Sequence, residues 1–289
     1  MEFSGRYINL AASGERRAQM MDQFSRFGCA ARYIRFDAID GRSIKTPESP
    51  LSAAELGCFM SHYHCIAGGG EPDKHVHIVE DDVVFAPQTV PILTEISNEV
   101  LDQCDILFTD IFVPLNMNSI FNLMEFYRAT GIAEVRDVEA DQRMPNCILY
   151  ADIRPIEFAG ATSYIVNKNS RNKIRRLLDA EMSSGISRPI DITIRKFVNS
   201  GQITALCTLP FLTSIRADSI YNTTMVDRGQ DKATERAFFL LRNYFFVAKD
   251  EAYLETSVAE LTSELADPGY MDTVLGVFRF MFSEKFVQF

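Results

Sequence analysis

The run HVHIVEDDVVF, residues 75–85, limits the fold more than any other part of this chain. A mostly apolar stretch leads into three consecutive acids, Glu80, Asp81 and Asp82, and apolar residues resume at Val83. Three like charges so close repel one another, and burying them unpaired is strongly unfavourable. The stretch before them is apolar enough to be buried on both faces, which suits a central parallel strand. In an open α/β sheet, ligands bind beyond the carboxyl ends of such strands. The acids stand at that end, and something positive should offset them.

The segments around this strand alternate between the two regular periodicities. GRYINL (5–10) and RYIRFDAI (32–39) read as strands, the second stopped by the turn pair Asp40-Gly41. Between them Met20, Met21, Phe24 and Phe27 mark a helix face from Glu15 to Phe27, with Gly28 as its C-terminal cap. Ser52 and Glu55 form a capping box that opens a helix over 53–67, and three glycines at 68–70 stop it in a flexible turn. Further along, 89–101 reads as a helix, 105–113 as a buried strand, 114–150 as a long excursion and 158–166 as a strand. The basic segment NKNSRNKIRR (167–176) is a polyanion-binding helix or, more plainly, a solvated helix face. Pro189 suits the first position of a helix ending at Gly201, and 203–209 is another strand. From Lys232 onward, apolar residues recur at helical spacing. The pattern predicts an α/β sandwich with a mostly parallel central sheet over 1–225, and a helical C-terminal extension, 226–289, packed on it.

Composition excludes some partners. A net charge of −10 disfavours nucleic acid and gives no attraction to an anionic bilayer. No run of apolar residues is long enough to span a membrane, and no secretory signal is expected at the N-terminus. Six scattered cysteines without a C-x-x-C pair read as reduced, cytosolic thiols.

Along an extended backbone Glu80 and Asp82 would share a face and Asp81 would point away, unless the chain turns. Two converging carboxylates suit a hard divalent ion, Mn²⁺ or Mg²⁺, which would offset the repulsion. The competing reading is that the acids cap the next helix and face water. His62 and His64, two apart on a helix, face nearly opposite ways and cannot chelate one ion together. His75 and His77 could share a strand face, but no Cys or third His lies at zinc spacing, so each histidine reads as a satisfied core residue or a hydrogen bond to substrate. No nucleophile elbow, phosphate loop or dinucleotide fingerprint is present. Asp191, two residues after Pro189, falls in a helix's first turn; a plain capping acid explains it as well as a catalytic one.

Taken in order, several of these segments resemble glycosyltransferase family 25, the bacterial lipopolysaccharide and lipooligosaccharide transferases related to collagen galactosyltransferases. The resemblance rests on YINL (7–10) with Arg16-Arg17, FDAIDG (36–41), LSAAELGCFMSHY (51–63), HIVEDDVVF (77–85), FAGATSYIVNK (158–168) and PID (189–191). The chain departs from the family at AASG (11–14), at Cys65 where an aromatic is common, and in having no Trp. The resemblance implies a GT-A-like nucleotide-binding sandwich and an inverting hexosyl transfer, most often from UDP-galactose, onto a glycan acceptor such as a lipopolysaccharide core, at the cytoplasmic side of the inner membrane. It implies that Glu80 and Asp82, with Asp81, hold Mn²⁺ or Mg²⁺. Asn9, Arg16 and Arg17 would meet the nucleotide, Asp40 and Gly41 its ribose, and Ser61 and His62 the donor or the metal ligands. The expected base is Asp191, with Asp110 in reserve. The aromatic tail VFRFMFSEKFVQF (277–289) would pack on the catalytic domain, on a second subunit of a homodimer, or on a membrane surface. Two rival functions are a sugar-phosphate nucleotidyltransferase, which would release pyrophosphate, and a non-catalytic scaffold in surface-polysaccharide assembly.

Overall fold

The computed structural model describes residues 1–44, 49–68, 71–113, 115–131, 144–220, 232–264 and 276. The tail 277–289, residues 132–143 of the long excursion and the glycines at 69 and 70 lie outside these residues. A seven-stranded sheet forms the centre, in the order β2-β1-β3-β7-β5-β8-β6. Its strands are β1 (Phe3–Asn9), β2 (Tyr33–Asp37), β3 (His75–Glu80), β5 (Ile106–Phe108), β6 (Leu149–Asp152), β7 (Ser163–Val166) and β8 (Ala205–Leu209). Pairing is parallel for β1 with β2 and β3, and for β5 with β8; β7 and β6 run against their neighbours. Five of the seven strands therefore share one direction. A small separate ribbon pairs β4 (Val83–Phe85) with β9 (Thr213–Ile215).

Strand alternation divides the core in two. Ile8, Ile78, Phe108 and Tyr164 face one apolar layer, while Tyr7, Val79, Leu107 and Ile165 face the other. The helix α1 (Gly14–Arg26) covers the second layer with Met20 and Phe24, and ends at Gly28 with φ 63°, as its C-terminal cap requires. The helix α2 (Ala53–Gly68) covers the first. Its capping box forms as the sequence predicts: the Ser52 N–H donates to Glu55 Oε2 at 2.9 Å, and the Glu55 N–H to Ser52 Oγ at 3.3 Å. On the same side, α6 (Arg171–Ser183) buries Ile174 and Leu178 and leaves Arg175 and Arg176 in solvent, the solvated-face reading of this basic segment.

Several boundaries differ from expectation for physical reasons. The helix expected over 89–101 is two, α3 (Thr89–Glu95) and α4 (Asn98–Asp102). The Met1 ammonium donates to the Ile96 carbonyl at 3.0 Å, and Ser97 is extended, so the helical ladder ends there. The strand expected over 105–113 keeps only Ile106–Phe108; Ile111 and Val113 stay buried without pairing into the sheet. Within the excursion lies a helix the apolar pattern did not announce, α5 (Met117–Ala129), capped by Asn116 Oδ1, which accepts from the Asn118 N–H at 3.0 Å. Pro189 precedes α7 (Ile190–Asn199) as its N-cap rather than opening it. The last helices, α8 (Lys232–Tyr244) and α9 (Glu251–Glu264), bury Leu240, Leu241, Leu254 and Leu261 in the same core as α2.

A close backbone contact fixes the cleft wall. Gly41, after β2, lies against α2 at Gly57. A Cβ on Gly57 would sit 2.4 Å from the Ile39 carbonyl and 2.8 Å from the Gly41 nitrogen. Gly57→Ala is expected to destabilise the protein by about 3 kcal/mol in urea unfolding. Gly14→Ala, where a Cβ meets nothing within 4 Å, should stay near wild type.

Candidate active site

The parallel strands β1, β2 and β3 end at one edge, where a cleft of about 550 Å³ opens. Its walls are the turn 10–13 after β1, residues 38–42 after β2, one face of α2 with Gly57, Cys58, Ser61 and His62, and the acids Glu80, Asp81 and Asp82. The volume is that of an ordinary small-molecule site.

The chain turns directly after Glu80, so Asp81 parts from Glu80. Glu80 Oε1 lies 3.1 Å from His62 Nε2 and 3.9 Å from Cys58 Sγ. An ionised carboxylate only accepts, so His62 donates through Nε2–H, and its Nδ1 accepts from the Tyr164 hydroxyl at 2.9 Å. Asp81 turns to the other side. It accepts from Asn9 Nδ2 at 2.7 Å and from Arg16 Nη1 at 3.0 Å. Asp82 is held less well: Arg16 stands 4.0 Å from Oδ2, and the buried Oδ1 has no hydrogen-bond partner among the described residues. Burial, then the charge of Glu80, pushes the Asp82 carboxyl up to about 6, against the opposing pull of Arg16. Part of the positive charge that the sequence calls for is thus protein-borne, on Arg16, and it serves Asp81. Asp82 and Glu80 retain oxygens that a hard divalent ion would suit.

The remaining candidate residues divide by position. Asn9 is buried and positions Asp81 and Arg35 instead of lining the cleft. Arg17 is exposed and is not among the cleft residues. Asp40 lines the cleft beside Gly41, and hydrogen bonds from Arg42 hold its carboxyl down to about 2. The Ser61 hydroxyl donates to the Gly57 carbonyl at 2.6 Å and accepts from the Ile39 N–H at 2.9 Å, which ties α2 to the end of β2. Asp191 accepts from the Gly160 N–H at 2.9 Å through Oδ2 and from the Ile192 N–H at 2.9 Å through Oδ1. After burial, the charges of Glu80, Asp191 and Asp82 push the Cys58 thiol well above its ordinary value, so Asp191 stands within electrostatic reach of the cleft. Asp110 does not reach the cleft. It is buried against Arg242, which donates through Nε at 3.1 Å and Nη2 at 2.5 Å, and it is not among the residues that line the described cleft.

Two arginines beyond the recognisable motifs support the acidic turn. The Arg216 N–H donates to the Asp82 carbonyl at 2.9 Å, and Arg216 Nη2 to the Asp81 carbonyl at 2.8 Å. Arg242 also donates to Thr162 Oγ1, and the Thr162 carbonyl receives the Glu80 N–H at 2.8 Å. His75 and His77 are core residues, as the sequence suggests; His77 lies 2.8 Å from the Tyr33 hydroxyl and 3.0 Å from that of Ser163.

Residues 6–193 match the family described as glycosyltransferase family 25 (LPS biosynthesis protein). This chain belongs to that family. Among curated relatives, a glycosyltransferase 25 family member of Drosophila melanogaster is 31% identical over 124 residues, 35% of this chain and 20% of the relative. A procollagen lysyl hydroxylase and glycosyltransferase of Acanthamoeba polyphaga mimivirus is 24% identical over 127 residues, 35% of this chain and 14% of the relative. The aligned region is thus a small part of either relative. The family match holds β1 from Arg6 onward, β2, β3, both glycines of the cleft wall and the acidic turn. Arg216 and Arg242 lie outside it. Among the described residues, no helix is long and apolar enough to cross a membrane.

Proposed function

We propose that this family 25 chain is an inverting, metal-assisted hexosyltransferase. It moves a sugar, galactose by family resemblance, from a UDP-hexose to a hydroxyl of a glycan acceptor such as a lipopolysaccharide core. The observation that carries the proposal is the Asp82 carboxylate: half-buried, with an enclosed Oδ1 short of partners, and set beside Glu80 at the carboxyl ends of three parallel strands. A divalent ion held by Asp82 and Glu80 would stabilise the negative charge of the departing diphosphate.

The chain's own groups account for the other requirements. His62, fixed between Tyr164 and Glu80, holds the Glu80 carboxylate in one orientation. Arg16 and Asn9 clamp Asp81, which shapes the turn. The cleft wall at Asp40–Gly41 offers a carboxylate to ribose hydroxyls. Asp191 keeps lone pairs free after accepting two backbone N–H groups, and it would take the acceptor's proton as that oxygen attacks the anomeric carbon. The six cysteines are all free, in keeping with a reducing compartment such as the cytoplasm.

The purified chain is expected to release UDP from one member of a nucleotide-sugar panel, with Mn²⁺ or Mg²⁺ and not with chelator. Release of pyrophosphate would favour the nucleotidyltransferase, and metal-dependent UDP binding without turnover the scaffold. Asp191→Asn should lower kcat by about 10²-fold at unchanged metal affinity. Turnover near wild type would remove Asp191 from the base role.

A further inference from the structure

The cleft holds a second group of ligand atoms, which the proposed transfer does not require. Cys58 and His62 stand four residues apart on α2, one turn up the same face. Glu80 arrives opposite them from the end of β3. Cys58 Sγ, His62 Nε2 and a Glu80 oxygen all lie within 4.8 Å of one another. Tetrahedral zinc, bound to sulfur at about 2.3 Å and to nitrogen or oxygen at about 2.0–2.2 Å, needs ligand atoms roughly 3.3–3.8 Å apart. The 3.1 Å and 3.9 Å separations on Glu80 Oε1 already straddle that range.

We infer that Cys58, His62 and Glu80 form a thiolate-containing site for Zn²⁺ or a similar borderline-soft ion, distinct from the hard-ion pair Glu80–Asp82 and exclusive of it because Glu80 serves both. The ligand types decide which ion goes where. Carboxylate oxygens alone suit Mn²⁺ or Mg²⁺, whereas a sulfur, an imidazole and one carboxylate suit Zn²⁺. The support that zinc-bound histidines need is in place: with Nε2 on the metal, Nδ1–H donates to the Tyr164 hydroxyl, a change of tautomer without a change of partner. Charge also favours the ion. Glu80 and, once its proton has left, the Cys58 thiolate would neutralise it, and Asp82 and Asp191 add attraction, the same charges that keep the thiol protonated without the ion.

The binding step balances simply. The Cys58 S–H bond breaks, an S–Zn bond forms, and the thiol proton leaves to solvent. The imidazole proton moves from Nε2 to Nδ1, and no electrons are exchanged. One proton is therefore released per ion bound. Three protein ligands leave one position for water.

The inference stands on the three ligand atoms and not on the transferase reading, so its test is spectroscopic. The 289-residue chain carries Cys147→Ser, which removes the exposed cysteine. It is stripped with chelator and titrated with Co²⁺ as a zinc stand-in. The expected result is a near-ultraviolet thiolate-to-cobalt band with intensified visible bands, saturating at one ion per chain, bleached by Zn²⁺ and lost in the added Cys58→Ser variant. X-ray absorption at the zinc edge needs no further variant. It should show one sulfur at about 2.3 Å with the remaining scatterers nitrogen or oxygen. Zinc bound through nitrogen and oxygen alone, no bound ion, or a cobalt band that survives Cys58→Ser would each overturn the site. UDP release under Mg²⁺, measured on chelator-stripped protein with no zinc present to take Glu80, reports on the transferase alone.

Discussion

Asp82→Asn is expected to lower metal-dependent turnover by at least 10³-fold and, in the metal-free protein at pH 7, to raise the melting temperature. The two effects have one cause. The ionised Asp82 carboxylate is crowded by Glu80 and Asp81, and its Oδ1 has no partner among the described residues. Its folded pKa, about 6, lies above the value of 3.8 for an unperturbed Asp. A carboxyl whose pKa rises on folding binds its proton more tightly in the folded state. Its contribution is therefore favourable below about pH 4, declines as pH rises through about 6, and leaves the ionised group a burden above that. The linkage amounts to up to about 3 kcal/mol. Asparagine removes the charge and keeps the shape, so the metal-free variant should lose the pH dependence between 4 and 6 together with the burden. Mn²⁺ should stabilise the wild type by binding only the folded state, and the variant far less. Thermal unfolding at pH 4.5 and 7.5, with chelator and with Mn²⁺, reads both arms. Equal melting behaviour of variant and wild type with chelator across that range would contradict the burial argument. Mn²⁺-dependent turnover near wild type would contradict the metal reading.

How much of this was legible in the sequence depends on how local the cause is. The Ser52–Glu55 box, the Gly28 cap and the buried run at His75–Val79 depend on neighbours within one or two turns, and they fold as read. The position of the acids at a strand end was equally local. What each acid does there was not. Asp81 is taken by Asn9 and Arg16, 72 and 65 residues away, and a period-two strand pattern carries no sign of the turn that separates it from Glu80. The split of the helix over 89–101 needs the Met1 ammonium, 95 residues distant. The sequence showed no zinc spacing, and Cys58 with His62, four apart on one helix, was missed because the partner that makes them a ligand group comes from another element. Asp110 illustrates the limit best. It ends a buried run much as Glu80 does, yet one faces the cleft and the other meets an arginine from α8.

That arginine leads to the largest expected loss of stability. Arg242→Met should destabilise the protein by about 3–5 kcal/mol, because it strands the Asp110 charge in the core. The side chains of Arg242 and Asp110 are 2% and 0% exposed, so water cannot replace the lost partner. Burial already pushes the Asp110 carboxyl up, and Arg242 opposes that shift. Without Arg242 only protonation relieves the charge, so the penalty should shrink as pH falls and grow as pH rises through the elevated pKa. A drop in melting temperature on the order of 10 °C at pH 8, smaller at pH 5, is the expected reading. Removing both charges, Asp110→Leu with Arg242→Met, should recover most of the loss, since a well-packed apolar pair often matches a buried ion pair. The double variant also separates stability from function. Thr162, which accepts from Arg242, passes its carbonyl to the Glu80 N–H, so the C-terminal helix reaches the acidic turn through one residue. If that reach positions Glu80, the double variant folds at near-normal temperature yet needs more Mn²⁺ for half-maximal UDP release. If α8 only fills the core, its Mn²⁺ requirement is that of the wild type.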